Sequence, residues 1–217
     1  YVSSASYNGQ IILENLSVKG EILFSHTSYN AAEIGGVFGR LETASSDYST
    51  RDDKRTYVKN VRFEGQISGD SDNGYQKHPS EIGGIGYFVG PFVDIEQAIV
   101  TNTTIYSKDN AGGLFGEMEH GSKIHRSGAE VYITTDGNTN QTQVGGLVGY
   151  VNMSSNNVDF NRTYYLTSIT QSYARGTIDK AYQEVGGIVG YLGNPSTDIE
   201  FKIADTYSTV NITSRYY

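Results

Sequence analysis

The sequence predicts an all-β protein, specifically a right-handed parallel β-helix (β-solenoid) of about five to six coils with loop insertions. Two repeated sequence elements and the overall composition predict this class. The 217 residues include 26 glycines and 18 tyrosines, but only 3 prolines and no tryptophan or cysteine. Abundant Gly and Tyr with few strong helix formers are typical of β chains that are rich in turns.

The composition also excludes several classes of function. The formal net charge is −8, so the chain lacks the basic surface that nucleic acids or anionic lipids require. The absence of cysteine excludes disulfides, thiolate metal sites and a cysteine nucleophile. No apolar run approaches the roughly 18 residues of a membrane-spanning helix, so we expect no membrane insertion. Because the sequence has no P-loop, dinucleotide fingerprint or Ser-His-Asp order, we also expect no cofactor and no catalytic residue.

The first repeated element is a segment of ten residues that aligns without gaps in six copies. The copies span residues 13–22, 58–67, 95–104, 124–133, 169–178 and 203–212. Position one is always aliphatic, and position ten is Ile in five copies and Thr104 in the other. Positions four, six, eight and ten share one face at the two-residue period of a strand. The decapeptide is therefore a predicted strand, and its tenth position should form one interior column.

The second repeated element is a Gly-Gly pair, followed in four copies by two apolar residues and a third glycine. A fifth copy, at residues 82–90, looks like the same element with an insertion. Such glycines suit tight corners, where a positive φ or close approach of the backbone is needed. The structural glycines predicted in this way are Gly35, Gly36, Gly39, Gly83, Gly84, Gly112, Gly113, Gly116, Gly145, Gly146, Gly149, Gly186, Gly187 and Gly190.

One unit of the repeat is a decapeptide, a variable stretch and a Gly-Gly strand. The six decapeptides, which number units 1 to 6, start 45, 37, 29, 45 and 34 residues apart. Unequal spacing with constant motifs predicts a fixed coil whose insertions, at 42–56, 69–80, 135–143 and 152–163, are loops. Stacked strands lie about 4.8 Å apart, so six coils would make a rod of about 30 Å. We expect residues 1–217 to be a single repeat domain.

Units 4 and 5 carry a resemblance to a known family. Residues 169–178 read ITQSYARGTI, residues 185–191 read VGGIVGY and residues 144–150 read VGGLVGY. These strings resemble the bacterial GLUG motif, approximately GGLVGY with ItnSyAtGxV. The resemblance covers nearly the whole chain, although units 1 to 3 diverge, and Arg40 and Glu117 replace the usual aromatic after the third glycine. GLUG repeats occur in secreted or surface proteins, including filamentous-haemagglutinin-like adhesins and streptococcal immunoglobulin A1 proteases. The resemblance implies a β-helical stalk or adhesive module with no chemistry in the repeat.

Both ends of the predicted stack lack a recognisable cap. A solenoid end exposes unpaired backbone groups and a cross-section of the core. We therefore expect the ends to contact the rest of a longer parent chain, or neighbouring subunits in a head-to-tail filament. The expected location is extracellular or at a cell surface, where host or cell-surface glycans or proteins are further candidate partners.

A carbohydrate-active enzyme is the alternative on the same fold. Asp52 and Asp53 are flanked by basic residues, and His120-Gly121 follows later in the chain. Glycoside hydrolysis needs two carboxyl groups at a fixed separation, which a pair in a long polar insertion does not provide. We therefore interpret the aspartate pair as solvated loop charge. The enzyme alternative requires carboxylates that converge on adjacent coils, with at least one shifted pKa.

Two segments resemble metal sites only weakly. Glu117, Glu119, His120 and His125 are close in sequence, but strand alternation would place Glu119 and His120 on opposite faces. Residues 70–81 resemble a calcium loop, yet the glycine falls at the fifth position rather than the sixth. Surface side chains and a solvated turn are the preferred interpretations, so no metal ligand is predicted.

Two sets of side chains should form columns on stacked coils. The residues two before each Gly pair are Glu33, Glu81, Asn110, Gln143 and Glu184. Glu33 next to Glu81 would repel unless exposed or bridged, and a solvent-facing corner is preferred to a cation site. The tyrosines predicted to form outward ladders are Tyr150, Tyr191, Tyr173 and Tyr207. Aromatic rings stack on sugars or cover a sheet face, so these tyrosines are the candidate glycan contacts.

Six Asn-x-Ser/Thr sequons complete the candidate residues. They are at Asn15, Asn102, Asn140, Asn152, Asn161 and Asn211. They would carry N-linked glycans only if the source organism glycosylates its proteins.

Overall fold

The computed structural model describes residues 2–3, 11–24, 32–42, 55–69, 79–135, 142–153, 165–194 and 199–214. Over these residues the chain consists of strands and turns and has no helix, which confirms the all-β class. The same residues accordingly include no helix of the length and apolarity that would span a membrane.

The described residues form twenty strands, which are numbered in chain order. The first ten are β1 (Val2–Ser3), β2 (Ile12–Phe24), β3 (Glu33–Gly35), β4 (Phe38–Glu42), β5 (Thr56–Gly69), β6 (Glu81–Gly83), β7 (Gly86–Val89), β8 (Val93–Ser107), β9 (Asn110–Gly112) and β10 (Phe115–Glu119). The others are β11 (Lys123–His125), β12 (Gly128–Thr135), β13 (Val144–Gly145), β14 (Val148–Asn152), β15 (Tyr165–Thr170), β16 (Tyr173–Ala181), β17 (Val185–Gly186), β18 (Val189–Leu192), β19 (Ile199–Ala204) and β20 (Tyr207–Ser214).

The strands form three sheets, and the pairings between them are parallel. Sheet I contains the decapeptides and consists of β2, β5, β8, β11, β12, β15, β16, β19 and β20. Sheet II contains the Gly-Gly pairs and has the order β17-β13-β9-β6-β3. Sheet III has the order β1-β4-β7-β10-β14-β18. From β2 to β20 the chain passes through sheets I, II and III in turn and then returns to sheet I.

The six decapeptides run in the same direction and in register. Their first positions form one continuous column of Leu13, Val58, Ile95, Ile124, Ile169 and Ile203. Equivalent residues therefore lie beside one another in successive units, as the repeat predicted.

The predicted tenth-position column is wrong at one place. Ile67 lies opposite Ile105, not Thr104, and Ile105 in turn lies opposite Ile133. A β-bulge in β8 adds one residue at Asn102, which has a φ of 48°. Because side chains alternate between the two faces, one added residue moves Ile105 into the interior. The alignment of unit 3 without a gap was therefore incorrect beyond Thr101.

The insertion expected in the Gly-Gly element of unit 2 is also absent from the structure. Gly86 lies opposite both Phe38 and Phe115, so Gly86 occupies the apolar position and Tyr87 the position of the third glycine. With no side chain at Gly86, the rings of Phe38 and Phe115 stack at 6.3 Å although they are two units apart. Phe88 consequently occupies the position after the third glycine.

The second glycine of each pair lies against position six of the next decapeptide. A Cβ on Gly113 would come within 2.1 Å of the Gly146 carbonyl oxygen and 2.8 Å of the Ala129 Cβ. Equivalent contacts involve Phe63, Val100, Ala174 and Ser208. The positive-φ glycines among the described residues, Gly20, Gly65, Gly121 and Gly176, belong to none of these pairs. Close approach across the interior, rather than a left-handed backbone, therefore requires glycine here.

Position three of the decapeptide is a corner that the sequence analysis did not identify. Its residues all have φ between 48° and 57°. They are Asn15, Asn60, Gln97, Arg126, Gln171 and Asp205. The left-handed region disfavours β-branched and bulky apolar residues, and all six side chains are polar. The consistently polar third position was the signal that could have revealed this corner.

One hydrophobic core runs through the stack from Phe38 to Ile199. Units 2 to 5 contribute fully buried side chains, such as Ile95 at 1% and Ile169 at 0% exposure. At the ends of the stack the same columns are open, and Ile203 and Ile212 are 45% and 44% exposed. Burial of the repeated apolar positions therefore depends on a neighbouring unit on each side.

Candidate functional site

The predicted tyrosine ladders lie on the outer faces of two sheets. Tyr150 and Tyr191 are adjacent in sheet III, with ring centroids 5.4 Å apart and planes at 29°. They end a column that begins with Arg40, Phe88 and Glu117. Three of its five members are aromatic, so a half-buried row of mainly aromatic side chains crosses the strands of sheet III.

A second aromatic pair lies on sheet I. The rings of Tyr173 and Tyr207 stack at 5.9 Å and 18°, and Tyr207 is 46% exposed. The Arg175 guanidinium lies 5.0 Å from the Tyr173 centroid and 5.4 Å from that of Tyr207, and it donates to the Tyr207 hydroxyl. Glu130 accepts a hydrogen bond from the same guanidinium at 3.5 Å. The result is an exposed surface that combines aromatic rings with hydrogen-bonding groups.

Gly128 explains why the Tyr173 ring lies flat on sheet I. Gly128 is the neighbour of Tyr173 in the adjacent strand, and a Cβ there would come within 2.2 Å of the tyrosine ring. Tyr132, 40% exposed, extends the polar part of this surface through a 3.2 Å hydrogen bond from its hydroxyl to Asp179 Oδ2.

The structure confirms that Glu33 and Glu81 are neighbours in one column, and Arg40 forms an ion pair with Glu33. Glu33 and Glu81 lie opposite each other in β3 and β6. Arg40 Nε donates to Glu33 Oε2 at 2.5 Å, and Arg40 Nη1 donates to Glu42 Oε1 at 2.8 Å. The guanidinium also lies 4.0 Å above the Phe88 ring. The hydrogen bond to Glu33 raises the pKa of Arg40, so this arginine remains charged.

Glu81 and Glu117 are half-buried carboxyls that both act on the buried Tyr87. Tyr87 Oη donates to Glu117 Oε2 at 3.1 Å, and the charge of Glu81 also acts on the Tyr87 hydroxyl. Burial raises the pKa of both carboxyls, and repulsion by Glu33 adds to the effect at Glu81. Burial, reinforced by the charge of Glu117, also raises the pKa of Tyr87. Two carboxyls on adjacent units are therefore protonated more readily than carboxyls that are free in water.

Glu119 and His120 lie together rather than on the opposite faces predicted from strand alternation, because strand β10 ends at Glu119 and Glu119 Oε2 lies 3.4 Å from His120 Nδ1. Glu119 also accepts a 3.2 Å hydrogen bond from Asn152, and His120 packs edge-on against Phe92 at 5.7 Å. His125 lies in sheet I, where its Nδ1 is 2.9 Å from Thr170 Oγ1. Within the described ranges, no group of three or more His, Asp or Glu side chains is arranged to hold a metal ion.

Several predicted residues lie outside the described part of the chain. These are Asp52, Asp53, residues 70–74, the sequons at Asn140 and Asn161, and most of the four insertions. Among the remaining sequons, Asn15, Asn102 and Asn211 are exposed, whereas the half-buried Asn152 uses its amide to donate to Glu119.

The sequence analysis missed a partly buried ion pair that joins three units. Arg55 Nε lies 2.6 Å from Asp94 Oδ2, and its Nη2 donates to the Gly121 carbonyl at 2.7 Å. The arginine side chain is only 11% exposed. No spacing rule pairs residues 39 positions apart across an insertion, so the register had to be known first.

A scan against models of known protein families and a search of curated proteins found no match for this chain. The described surfaces can stack aromatic rings against a flat ligand and offer carboxylate, guanidinium and phenol groups beside those rings.

Proposed function

We propose that the three sheets are the faces of one parallel β-helix, a single repeat domain that acts as a non-catalytic stalk or adhesive module of an extracellular or cell-surface protein. The observation that carries this proposal is the in-register parallel pairing of the six decapeptides. Passage through sheets I, II and III in each of units 1 to 5 supports a coil that repeats along one axis. Such a stack has a continuous core and is a rigid spacer.

The GLUG-like strings support placement of this module at the cell exterior. The stacked tyrosines support the adhesive role, because Tyr offers a large rigid contact area at a low cost in conformational entropy. Of the two pairs, Tyr173 and Tyr207 are the better candidate for glycan contact, since Arg175 and Glu130 provide hydrogen-bonding groups beside the rings.

Binding of the purified chain to an array of surface polysaccharides tests the adhesive role. We expect retention that Tyr207→Ala reduces at least several-fold, because stacking area is lost. Tyr57→Ala, which removes an equally exposed tyrosine from a different part of sheet I, should leave binding unchanged. Binding that ignores Tyr207, or no binding to any polysaccharide, would contradict glycan adhesion and leave the stalk role alone.

The linked group of Glu81, Tyr87 and Glu117 favours one alternative, a carbohydrate-active enzyme. Two carboxyls with raised pKa values on adjacent units are one requirement of such a site. Incubation with a polysaccharide panel, followed by measurement of reducing ends and of unsaturated products, separates the two proposals. The non-catalytic proposal predicts no product, whereas turnover that Glu117→Gln abolishes would establish the enzyme.

A further inference from the structure

Strands β12 and β16 form the outer surface of sheet I in the interior units 4 and 5. Their outward side chains alternate with core residues such as Ala129 and Ile178. Across the two strands they make four pairs, which are Gly128 with Tyr173, Glu130 with Arg175, Tyr132 with Thr177 and Thr134 with Asp179. Units 4 and 5 each have a neighbouring unit on both sides, so coils added at either end of the stack would lie beside this outer face and not on it.

We propose that this outer face binds a linear, neutral polysaccharide, with the sugar chain lying along the strands from the Tyr173 ring to the Tyr132 ring. The inference rests on the proposed adhesive function and gives that function a class of ligand and a direction of binding. The stacked rings of Tyr173 and Tyr207 are the first contact with the ligand. Tyr132 and its hydrogen-bonded partner Asp179 are the second.

The spacing of the two aromatic contacts requires an extended ligand. Tyr173 lies opposite Gly128, and Tyr132 is four residues further along β12. Four strand residues cover about 13 Å, and Tyr173 and Tyr132 are on neighbouring strands, so their backbones are about 14 Å apart. One sugar ring does not span this distance, and a ligand that contacts both rings must therefore be an oligosaccharide chain that runs along the strands.

Tyr132 is built as a ring that stands out from the sheet. It is 40% exposed, and its neighbours in the same column are the shorter Thr104 and Thr177. Its hydroxyl donates to Asp179 Oδ2 at 3.2 Å, which holds the ring beside a carboxylate. A rigid aromatic ring next to a hydrogen-bonding group offers a sugar a large contact area at a low cost in conformational entropy. The second contact therefore has the same chemistry as the first, where Arg175 lies beside two rings.

Hydrogen-bonding groups lie between the two contacts. Arg175 has five N–H groups, and within the described part of the chain one donates to Tyr207 Oη and one to Glu130 Oε1. The carboxylates of Glu130 and Asp179 each have more acceptor sites than the single bonds from Arg175 and Tyr132 use. Sugar hydroxyls both donate and accept, so a row of them suits a face that offers donors and acceptors in turn.

The charges of the outer face favour a neutral sugar chain over an acidic one. Strands β12 and β16 carry two acidic side chains, Glu130 and Asp179, and two basic ones, Arg175 and Lys180. Glu130 lies 3.5 Å from the Arg175 guanidinium, so it would repel a sugar carboxylate that approached this arginine. The net charge of −8 adds a long-range repulsion of any polyanion. An acidic polysaccharide is therefore the competing ligand that the experiment must include.

Titration calorimetry of the full chain with oligosaccharides of increasing length tests the class of ligand. The probes are neutral cello-, xylo-, manno- and laminari-oligosaccharides, with oligogalacturonates as the acidic series. We expect the affinity for at least one neutral series to rise with chain length until both contacts are made, and to change little with salt. Preference for oligogalacturonates, or an affinity that is independent of length, would overturn the proposal. Failure of every neutral series to bind would overturn it together with the glycan-binding role.

Substitution of Tyr132 tests the direction of the sugar chain. Tyr132→Thr suits the strand, because Thr104 and Thr177 hold the same position in the neighbouring units. It should lower the affinity for the longest oligosaccharide about two- to tenfold, whereas Tyr132→Phe, which keeps the ring, should lower it less. Tyr57→Ala, an equally exposed tyrosine of unit 2, should have no effect. Binding that depends on Tyr207 but not on Tyr132 would reject this direction and yet leave the proposed adhesive function intact.

Discussion

The second glycine of each Gly-Gly pair lies where the backbone of sheet II comes close to the side chains of sheet I. At Gly113 both a backbone oxygen of the next unit and the methyl group of Ala129 occupy the space of a side chain. Gly187, the last of the series, differs because among the described residues a Cβ there would meet only side-chain atoms of Ser208. The same glycine position therefore has a rigid neighbour within the stack and a movable one at its end.

This difference predicts unequal costs for the same substitution. Gly113→Ala should lower the free energy of unfolding by about 1–3 kcal/mol or more, because the backbone must shift to admit the methyl group. Gly187→Ala should cost less, since Ser208 can change rotamer. Urea denaturation of both variants measures the difference. Equal costs would show that the backbone contact at Gly113 is unimportant.

Glu117 should make the stability of the fold depend on pH. Burial places its folded-state pKa above the ordinary value of 4.5. The protonated carboxyl thus stabilises the fold below that value, and this contribution is lost as the pH rises through the folded-state pKa. Glu117→Gln, which can still accept from Tyr87, should therefore be more stable than the parent at neutral pH and equal to it below pH 4.5.

Thermal unfolding at neutral and acidic pH measures the effect of Glu117→Gln. The exposed Glu200 is a matched control, and Glu200→Gln should change stability little at either pH. Destabilisation by Glu117→Gln at neutral pH would mean that the ionised carboxylate makes contacts that outweigh its burial.

Single residues also mark where sequence reasoning failed. The bulge at Asn102 was invisible because Thr104 and Ile105 both suit a strand, and only the register of the neighbouring strands places Ile105 inside. Tyr87 was misread as part of an insertion because it stands where other units have glycine. In both cases contacts between units, which one sequence does not contain, decide the outcome.

Hydroxyl groups form a ladder that connects the elements of sheet I. Ser127 Oγ accepts from the Ala98 amide at 3.0 Å, and Ser172 Oγ accepts from the Ser127 amide at 3.2 Å. Each serine also donates to a carbonyl of its own corner, at 2.9 Å for Ser127 and 2.8 Å for Ser172. The ladder satisfies backbone amides where the left-handed corner interrupts the regular strand pairing.

Removal of one hydroxyl should therefore destabilise the stack locally. Ser127→Ala leaves the buried Ala98 amide without its acceptor and should cost about 1–3 kcal/mol. Ser208→Ala, the same change at an exposed site, should cost less than about 0.5 kcal/mol. Chemical denaturation compares the two, and a negligible effect at Ser127 would mean that water replaces the hydroxyl.

At the scale of strands, the stacking of equivalent tyrosines was predictable because it follows from the repeat alone. Tyr150 and Tyr191 share a repeat position, and identical positions meet when units stack in register. The Arg40–Glu33 bridge was not predicted, since it needs the actual orientation of a side chain at a divergent position. Regular positions of the repeat were therefore accessible from sequence, and exceptional ones were not.

Over the whole molecule, burial falls from the central units towards both ends. Ile124 and Ile133 in unit 4 are fully buried, whereas the equivalent Ile203 and Ile212 in unit 6 are 45% and 44% exposed, and Leu13 and Ile22 in unit 1 are only partly buried. In a stack stabilised by nearest neighbours, a terminal unit has only one neighbour and opens most easily.

Hydrogen exchange should reveal this gradient. Amides of β8 and β12 should exchange most slowly, and those of β2 and β20 should exchange orders of magnitude faster at monomer concentrations. Uniform protection along a monomeric chain would argue that it unfolds as one cooperative unit.

Position nine of the decapeptide offers the most direct measurement of the parallel, in-register stacking of the units. Glu21, Tyr132, Thr177 and Asn211 form one outward column. Spin labels on cysteines that replace Glu21 and one of the others should show distances growing with each strand spacing, about 14, 19 and 24 Å between backbones. Electron–electron double resonance at high dilution reads these distances within one chain. Values that increase in the order Tyr132, Thr177, Asn211 would support the stack, and any other order would contradict it.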